Sequence, residues 1–582
     1  MTSDPERSRR TRWTIFRMLP RASAPDARGD VRGERVCLLL IVLLSALLWC
    51  TRLRGPIDLR WDGGVYWLLG TSIMSGQGYR LLNEPGSVQA LQYPPGLPAA
   101  VALFQWLFGS AGKHDTLAVA HALRLAFVGI WTAYLAGAFF MARRWFSPRW
   151  SFVCTLILAL QLDQLILSDR CFAEMPFTLL SFLFVHLNWR AERPWLTVAQ
   201  WGSGAAAFLF RTAGIALFAA WVFEALVRRK LRLALGRGAL AAVVVLGWQA
   251  YVWHVETSAE YRHPAYAYQR ASYIQYNVKY TDNALMVDPD LPEMGSVTAG
   301  GFVRRFFRNW LRVPQTIGAA VSVPRPREAP LTRAGPTLQT IRSQTLRFFL
   351  ISLGLLTLVG FWALARRGEW LIVAYVAAGI SLFCVTPFVA EFRRYAVPLA
   401  PYFVPALLLG LLDARRVLAS RWPPFRALAP GLLPGVVAII LAVQIPRTVD
   451  LYRRRAFASV SDDDGKSYVY ALFNYDKSWV AFEGALRWLK ASAQPEEVVV
   501  TKAAHWTYLQ TGLKSVWPPQ AESPAELEAL LDSVPARYLI IDNFRWTGTP
   551  RRMHLMLSSR QQLWRPVFSD PNSRLAIYRR QP

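Results

Sequence analysis

The 582-residue chain is predicted to be an α-helical polytopic membrane protein with a small C-terminal α/β domain. Three observations predict this class. Apolar residues make up 53% of the chain and charged residues only 18%, against about 25% charged in soluble domains. The apolar residues are clumped into long uncharged runs, as bilayer spans require. The arginines fall in short clusters between those runs, where a polytopic membrane protein keeps them. The 24 tryptophans and 21 tyrosines suit side chains anchored at the membrane–water boundary. Composition thus excludes a disordered chain, a disulfide-rich scaffold and a purely soluble enzyme. A net charge of +28 would suit a nucleic-acid binder, but the placement of the arginines between apolar runs points away from nucleic acid and toward membrane lipids as a partner.

Residues 1–35 are polar, with nine arginines, and read as a cytoplasmic basic tail. The run Val36–Cys50 follows. Arg52 and Arg54 stand where a signal peptide would carry a small-residue cleavage site, so the run reads as an uncleaved first helix. Further apolar runs lie at about 117–141, 149–167, 172–188, 198–210, 213–227, 238–254, 346–365, 370–389, 396–412 and 430–446, giving about 11 spanning helices. If each spans once, Arg143-Arg144, Arg190, Arg228-Arg229-Lys230, Arg366-Arg367 and Arg415-Arg416 fall in alternate, cytoplasmic loops. That parity requires the run 94–110 to lie in the interface or re-enter rather than span. The runs 198–210 and 213–227 are expected to be half-helices hinged at Arg211.

The membrane domain occupies residues 36–450, with outer loops at about 52–116 and 255–345. Residues 302–313 place Phe302, Phe306, Trp310 and Val313 near one helical face among Arg304, Arg305, Arg308 and Arg312. This suits either a helix on an anionic membrane surface or one packed on the protein body. Residues 451–582 change character. Val498–Thr501, Tyr538–Asp542 and Leu575–Arg579 read as strands, and Phe482–Ala493 and Ala525–Ser533 as helices, giving an extracytoplasmic α/β domain. Asp462-Asp463-Asp464 lacks the downstream glutamate of a calcium loop and reads as a solvated linker. The five cysteines form no CxxC pair, and no HExxH or P-loop occurs.

Ionisable residues at the ends of membrane helices are the default candidates for function. Asp62, in Trp61-Asp62-Gly63-Gly64, serves either as a helix N-cap or as a general base toward an acceptor hydroxyl. Asp169 and Glu174, between two apolar runs, supply a second carboxylate, although Arg170 and Glu174 are spaced to pair with each other. Arg393, Arg394 and Tyr395 are extracytoplasmic by parity, against the usual bias. Their guanidinium groups match phosphate oxygens in a planar fork, with pairing to Glu391 the plainer alternative. Arg211 is a similar lone candidate. Carboxylates and arginines on the outer side fit a lipid-phosphate sugar donor. The arginines, with or without a divalent metal, stabilise the departing phosphate, while a carboxylate removes the acceptor's proton.

In order along the chain, Asp62 with Tyr66, Ser75-Gly76-Gln77-Gly78-Tyr79, Tyr93-Pro94-Pro95-Gly96-Leu97-Pro98, Ala173-Glu174-Met175-Pro176-Phe177 and Arg394-Tyr395 before Pro398 and Pro401 resemble the GT-C integral-membrane glycosyltransferases of the PMT-type group. That group includes protein O-mannosyltransferases and lipid A aminoarabinose transferases. The resemblance covers about residues 35–450. It implies an inverting transferase on the outer face of a bacterial inner membrane, with a polyprenyl-phosphate-linked sugar as donor and a glycan, lipid or protein as acceptor. It implies that Asp62 is the base, that Glu174 holds the second acidic position with Asp169 as its competitor, and that 94–110 is a juxtamembrane helix. Arg394, Arg393, Tyr395, Arg211, Tyr66 and Tyr93 are the residues expected to bind substrate. The chain departs from the pattern at Gly63, where an acidic residue is frequent. It departs again at Gln92-Tyr93, where aminoarabinose transferases carry an acidic residue that helps hold a metal, which leaves His254 or His263 as substitutes. Two alternatives stand beside the transferase. One is a lipid-linked sugar transporter or flippase, for which internal repeats are lacking. The other is a membrane anchor displaying the C-terminal domain.

Overall fold

The computed structural model describes residues 31–581, apart from 110–115, 191–192, 267–268, 270–276, 290–293, 324–335, 422–423, 462–466, 520, 522, 545–546 and 548. Most of the basic tail and the Asp462–Asp464 run lie outside the described residues.

The first half is helical: α1 Val31–Trp49, α2 Asp62–Met74, α3 Gly96–Phe108, α4 Thr116–Arg143, α5 Pro148–Ala159, α6 Leu162–Ser168, α7 Glu174–Trp189, α8 Pro194–Phe210, α9 Ile215–Val227 and α10 Leu231–Thr257. After a long connecting segment with α11 Tyr280–Leu285, α12 Ala299–Trp310 and α13 Val313–Val321 come α14 Pro336–Arg366, α15 Trp370–Val385, α16 Phe392–Ala396, α17 Ala400–Arg421 and α18 Phe425–Arg453. Every apolar run read from the sequence falls on one of these helices, or on two helices separated by a short break. Among the described residues, five segments are long and apolar enough to cross a membrane: Thr116–Arg143, Leu231–Thr257, Ser343–Arg366, Val389–Arg421 and Ala429–Arg453. The pair α5 and α6, bent by 70°, makes a sixth if it is one broken span. The protein is therefore a multi-span membrane protein. Helix α3 has 13 residues, about 20 Å at 1.5 Å per residue, too short for a core about 30 Å thick.

The bundle is packed backbone to backbone where α14 crosses α17. Gly360 lies against the Ala406 carbonyl and Gly410 against the Leu356 carbonyl, so neither position has room for a Cβ. Small residues at such crossings let helices approach without a water-driven force between them.

Helix α12 packs on the protein body. Arg305 is buried and donates to the Ala284 carbonyl at 2.7 Å, and the Asn309 amide donates to the Cys384 carbonyl at 2.9 Å. Phe306 and Trp310 share a face, as the sequence leads one to expect, with ring centroids 6.1 Å apart, and Trp310 is 41% exposed. Asn309 takes the inward place because α15 ends there in carbonyls that need a donor. Val303, Phe307 and Leu311 face outward with Arg304, Arg308 and Arg312.

The C-terminal region holds β1 Ala456–Ser461, β2 Ser467–Leu472, α19 Lys477–Ser492, β3 Val498–Val500, α20 Ala504–Thr511, β4 Ser515–Val516, α21 Pro524–Asp532, β5 Ala536–Ile541, α22 Thr549–Ser559, β6 Trp564–Ser569 and β7 Ala576–Arg580. Strands β1 and β2 form an antiparallel ribbon. The others form one sheet in the order β4-β3-β5-β7-β6, parallel from β4 to β5 and antiparallel beyond.

This region is seated on the long loop that follows α1. Val65, Leu69, Leu81 and Val88 share an apolar cluster with Val498, Val500, Val516 and Leu539. The Asn83 amide donates to the Ser515 carbonyl at 2.9 Å, and the Ser515 N–H donates to the Asn83 carbonyl at 2.7 Å. The segment that follows α10 closes over residues 84–89 of that loop. The Asn277 amide donates to the Gln89 carbonyl at 3.1 Å, and Tyr266 donates to the Glu84 carboxyl.

Candidate active site

Helix α2 begins at Asp62, immediately after a backbone kink. Trp61 has φ 67°, outside the usual range for a residue with a Cβ. Its indole packs edge-on against Trp479 of α19, with ring centroids 5.5 Å apart. Strain of this kind persists only where the surroundings hold it in place. Here the C-terminal domain is that surrounding. Asp62 does not cap the helix. It occupies the first helical position, and no side-chain capping bond forms there. Its carboxylate instead accepts a hydrogen bond from Arg394 Nη2 at 2.6 Å.

Glu174 begins α7 in the same way. It accepts from Arg394 Nε at 2.5 Å and pairs with Arg211, which stands in extended conformation between α8 and α9. Both carboxylates therefore sit on helix N-termini, where the backbone dipole favours negative charge. Arg394 bridges them with one planar fork, and its guanidinium lies 4.4 Å from the Phe172 ring centroid. The sequence brings these four ionic groups together from positions as much as 332 residues apart.

Exposure grades across the cluster. The Glu174 side chain is 0% exposed, Arg211 17%, Arg394 23% and Asp62 28%. Asp62 is the carboxylate that an incoming group can reach, and Glu174 is the buried counter-charge that fixes both arginines. Tyr66 lies one turn along α2 from Asp62 and packs edge-on against Tyr93, with centroids 5.2 Å apart. Burial first, and then the Asp62 charge, push both phenols well above the ordinary tyrosine range, so both remain hydroxyl donors. Tyr280, at the start of α11, faces the same charges of Arg211, Asp62, Arg394 and Glu174. Nothing in the sequence around Tyr280 marked it for this place.

Of the remaining predicted residues, Asp169 and Arg393 pair elsewhere. Asp169 is not brought to the cluster. It is 2% exposed, accepts from Arg124 at 2.8 Å and lies 3.9 Å from Arg52. Arg393 forms its own pair with Asp163 of α6, its Nε 3.2 Å from the carboxylate. Tyr395 stays at the cluster: it is half-buried and faces the charges of Arg394, Glu391 and Arg211 and the Tyr280 phenol. The expected Arg170–Glu174 pair does not form, because residues 169–173 are not helical and i,i+4 geometry is absent. Arg170 instead lies 3.7 Å from Asp58.

Asp58 is a buried charge that the sequence did not flag. Arg60 grips it bidentately, with both contacts at 2.9 Å. Arg60 also donates to the Phe473 and Asn474 carbonyls and lies 4.7 Å from the Trp479 ring centroid. The two buried networks thus fasten the first loop to the C-terminal domain and to α4. They are structural supports that hold Trp61 and Asp62 in position.

The donor set does not fit a divalent metal. The two neighbouring carboxylates are already neutralised by two guanidinium groups, and Arg394 lies between them. Among the described residues, no group of three or more His, Cys, Asp or Glu side chains gathers at one point. His254, near the end of α10, and His263, just after it, are exposed.

No family model and no curated protein matches the chain. Solved structures do match. The oligosaccharyltransferase of Archaeoglobus fulgidus in its apo form aligns with a TM-score of 0.51 at 14% identity, covering 96% of this chain and 75% of that one. The same enzyme tethered to an acceptor peptide aligns with a TM-score of 0.50 at 13% identity, covering 95% and 74%. ArnT of Cupriavidus metallidurans, in a structure bound to undecaprenyl phosphate, aligns at 14% identity over 93% of this chain and 97% of that one, with a TM-score of 0.49. The chain shares its fold, the GT-C fold, with that archaeal oligosaccharyltransferase.

Proposed function

We propose that the protein is an inverting glycosyltransferase. It moves a sugar from a polyprenyl-phosphate donor to a hydroxyl acceptor at the outer face of a bacterial cytoplasmic membrane. The observation that carries the proposal is the Asp62–Arg394–Glu174–Arg211 cluster, graded from an accessible carboxylate to a buried one. The GT-C fold, shared with an oligosaccharyltransferase, supports the same reading.

In the resting arrangement Arg394 engages Asp62. A donor phosphate competes for the Arg394 fork and adds Arg211 on its other side, since guanidinium binds phosphate in bidentate geometry. Releasing Asp62 frees a carboxylate oxygen to accept the acceptor's hydroxyl proton. The acceptor oxygen then attacks the anomeric carbon from the face opposite the phosphate. The glycosidic C–O bond to phosphate breaks with its electron pair staying on the phosphate oxygen. Arg394 and Arg211 hold that charge better in the departing state than in the bound donor, which is what lowers the barrier. Tyr66 and Tyr93 donate hydrogen bonds toward the sugar. The donor brings its own phosphate and its own lipid anchor, so no nucleotide-binding motif is needed. The acceptor is a glycan, lipid or protein hydroxyl, the N-terminus is cytoplasmic, and the C-terminal domain lies outside.

Mass spectrometry of envelope glycolipids and glycans tests this proposal in cells. A deletion strain is expected to lack one sugar. The wild-type gene restores it, and an Asp62→Asn gene expressed to the same level does not. A complete envelope in the deletion strain would overturn the reading.

A further inference from the structure

A cavity of about 390 Å³ lies at the opposite end of the bundle from the carboxylate–arginine cluster. The same helices define both ends. Glu174 opens α7 and Trp189 closes it. Arg211 leads into α9 and Arg228 follows it. Trp370 opens α15, and the chain beyond α15 leads to Arg394. Sixteen residues of α7 separate the two places by about 24 Å at 1.5 Å per residue.

The cavity is basic with aromatic walls. Arg144, Arg228 and Arg367 line it against one carboxylate, Glu369, with Trp189 and Trp370 alongside. Glu369 is already committed. It accepts from Arg144 Nε at 3.1 Å and from Trp189 Nε1 at 2.9 Å, and Arg144 lies 5.2 Å from the Trp189 ring centroid. Arg228 pairs with Glu224 at 2.8 Å. Asp413, the carboxylate near Arg367, is taken by Arg366 at 2.7 Å and Arg416 at 3.3 Å. Among the described residues Arg367 has no hydrogen-bond or ion-pair partner for its guanidinium. Its turn, closed by Gly368 at φ +81°, holds it at the cavity wall.

An uncommitted guanidinium beside a fixed Arg–Trp stack, at helix ends where lipid headgroups lie, is a phosphate-binding arrangement. We propose that this cavity binds the phosphate of an anionic lipid of the adjoining leaflet. Its volume falls in the range of small-ligand sites, about 300–1,000 Å³. The bilayer delivers such a ligand to the helix ends where the cavity opens. The proposal rests on the membrane placement of the bundle and is independent of sugar transfer.

Thermal unfolding and native mass spectrometry of the full chain in detergent test it. Phosphatidylglycerol is expected to raise the melting temperature and to stay bound, and phosphatidylcholine is not. The Arg144→Gln/Arg367→Gln protein is expected to bind phosphatidylglycerol at least about tenfold more weakly, the scale of one lost charge-assisted contact. Asp62→Asn, at the far end, should leave that binding unchanged. Equal responses of the unsubstituted protein to the two lipids would overturn the proposal whether or not the double variant folds. So would undiminished binding in the double variant. Soluble glycerol phosphate acting at the same concentration as the lipid would overturn the lipid as its source.

Discussion

Replacing Arg394 by lysine keeps the charge and removes the fork. Arginine reaches Glu174 through Nε at 2.5 Å and Asp62 through Nη2 at 2.6 Å. An ammonium on a flexible stem can serve one carboxylate or the other, and it offers a phosphate one contact rather than two. A hydrogen bond to a charged group contributes about 1.5–3 kcal/mol. The stack on Phe172, at 4.4 Å, contributes about 0.5–1 kcal/mol more at a partly exposed position. The loss is then about 2–4 kcal/mol, or roughly 30- to 700-fold in donor affinity at 1.4 kcal/mol per decade. Glu174 keeps Arg211 as its partner, so the bundle should remain folded. The assay is initial transfer rate by purified protein, varied separately in polyprenyl-phosphate sugar and in acceptor. Arg394→Lys is expected to raise the donor KM by that factor and to leave the acceptor KM within a few-fold. An unchanged donor KM, or equal rises in both, would refute the phosphate role of Arg394.

Three further outcomes follow from the supports around the site. Trp479→Ala removes both the Trp61 contact and the Arg60 stack. It should cost the C-terminal domain about 3–5 kcal/mol, as large aromatic truncations do, and lower transfer without changing unfolding of the helical bundle; calorimetry and the transfer assay read the two effects. Burial pushes the Glu84 carboxyl up to about 8, so the folded state holds a proton that the unfolded chain releases at its ordinary value. The stability this contributes is present below the unfolded value and is lost as pH rises toward about 8. Amide protection at residues 81–88 and 515 should fall between about pH 5 and pH 8 and level off above, and Glu84→Gln should remove that dependence. A Ser459→Cys protein with Cys50 replaced by serine should react with an impermeant maleimide from outside intact spheroplasts; labelling only after lysis would invert the proposed topology.

Much of the fold is legible in the sequence because lipid as a solvent writes itself into long runs of residues. Three strands of the C-terminal domain, β3, β5 and β7, are legible as short runs rich in apolar residues, whereas β1, β2, β4 and β6 are not read from the sequence. The site is legible by residue type and not by contact. Asp62, Glu174, Arg211 and Arg394 stand out as ionisable groups at helix ends, but no spacing reveals that Arg394 bridges the two carboxylates. Asp169 looks equivalent to Glu174 in the sequence. Its partners, Arg124 and Arg52, come from two other elements, and only the packed bundle separates a structural carboxylate from one at the cluster. Asp58 and Arg60 were silent for the same reason. They lie in a polar loop where charges are usually solvated, and burial under the C-terminal domain is a tertiary event. The inward turn of Asn309 was not legible, because an amphipathic pattern reports hydrophobicity, whereas two carbonyls, those of Cys384 and Thr386, draw its amide inward.

Asp62→Asn in purified protein, with donor binding and single-turnover transfer measured side by side, tests the base assignment most directly. Asparagine keeps the shape, cannot take a proton, and releases Arg394 from an ion pair. Donor binding should be equal or tighter, while transfer should fall about 10²- to 10⁴-fold, the range for losing a general base. Near-normal transfer, or a loss confined to donor binding, would contradict a carboxylate that is unlocked by phosphate and then accepts the hydroxyl proton.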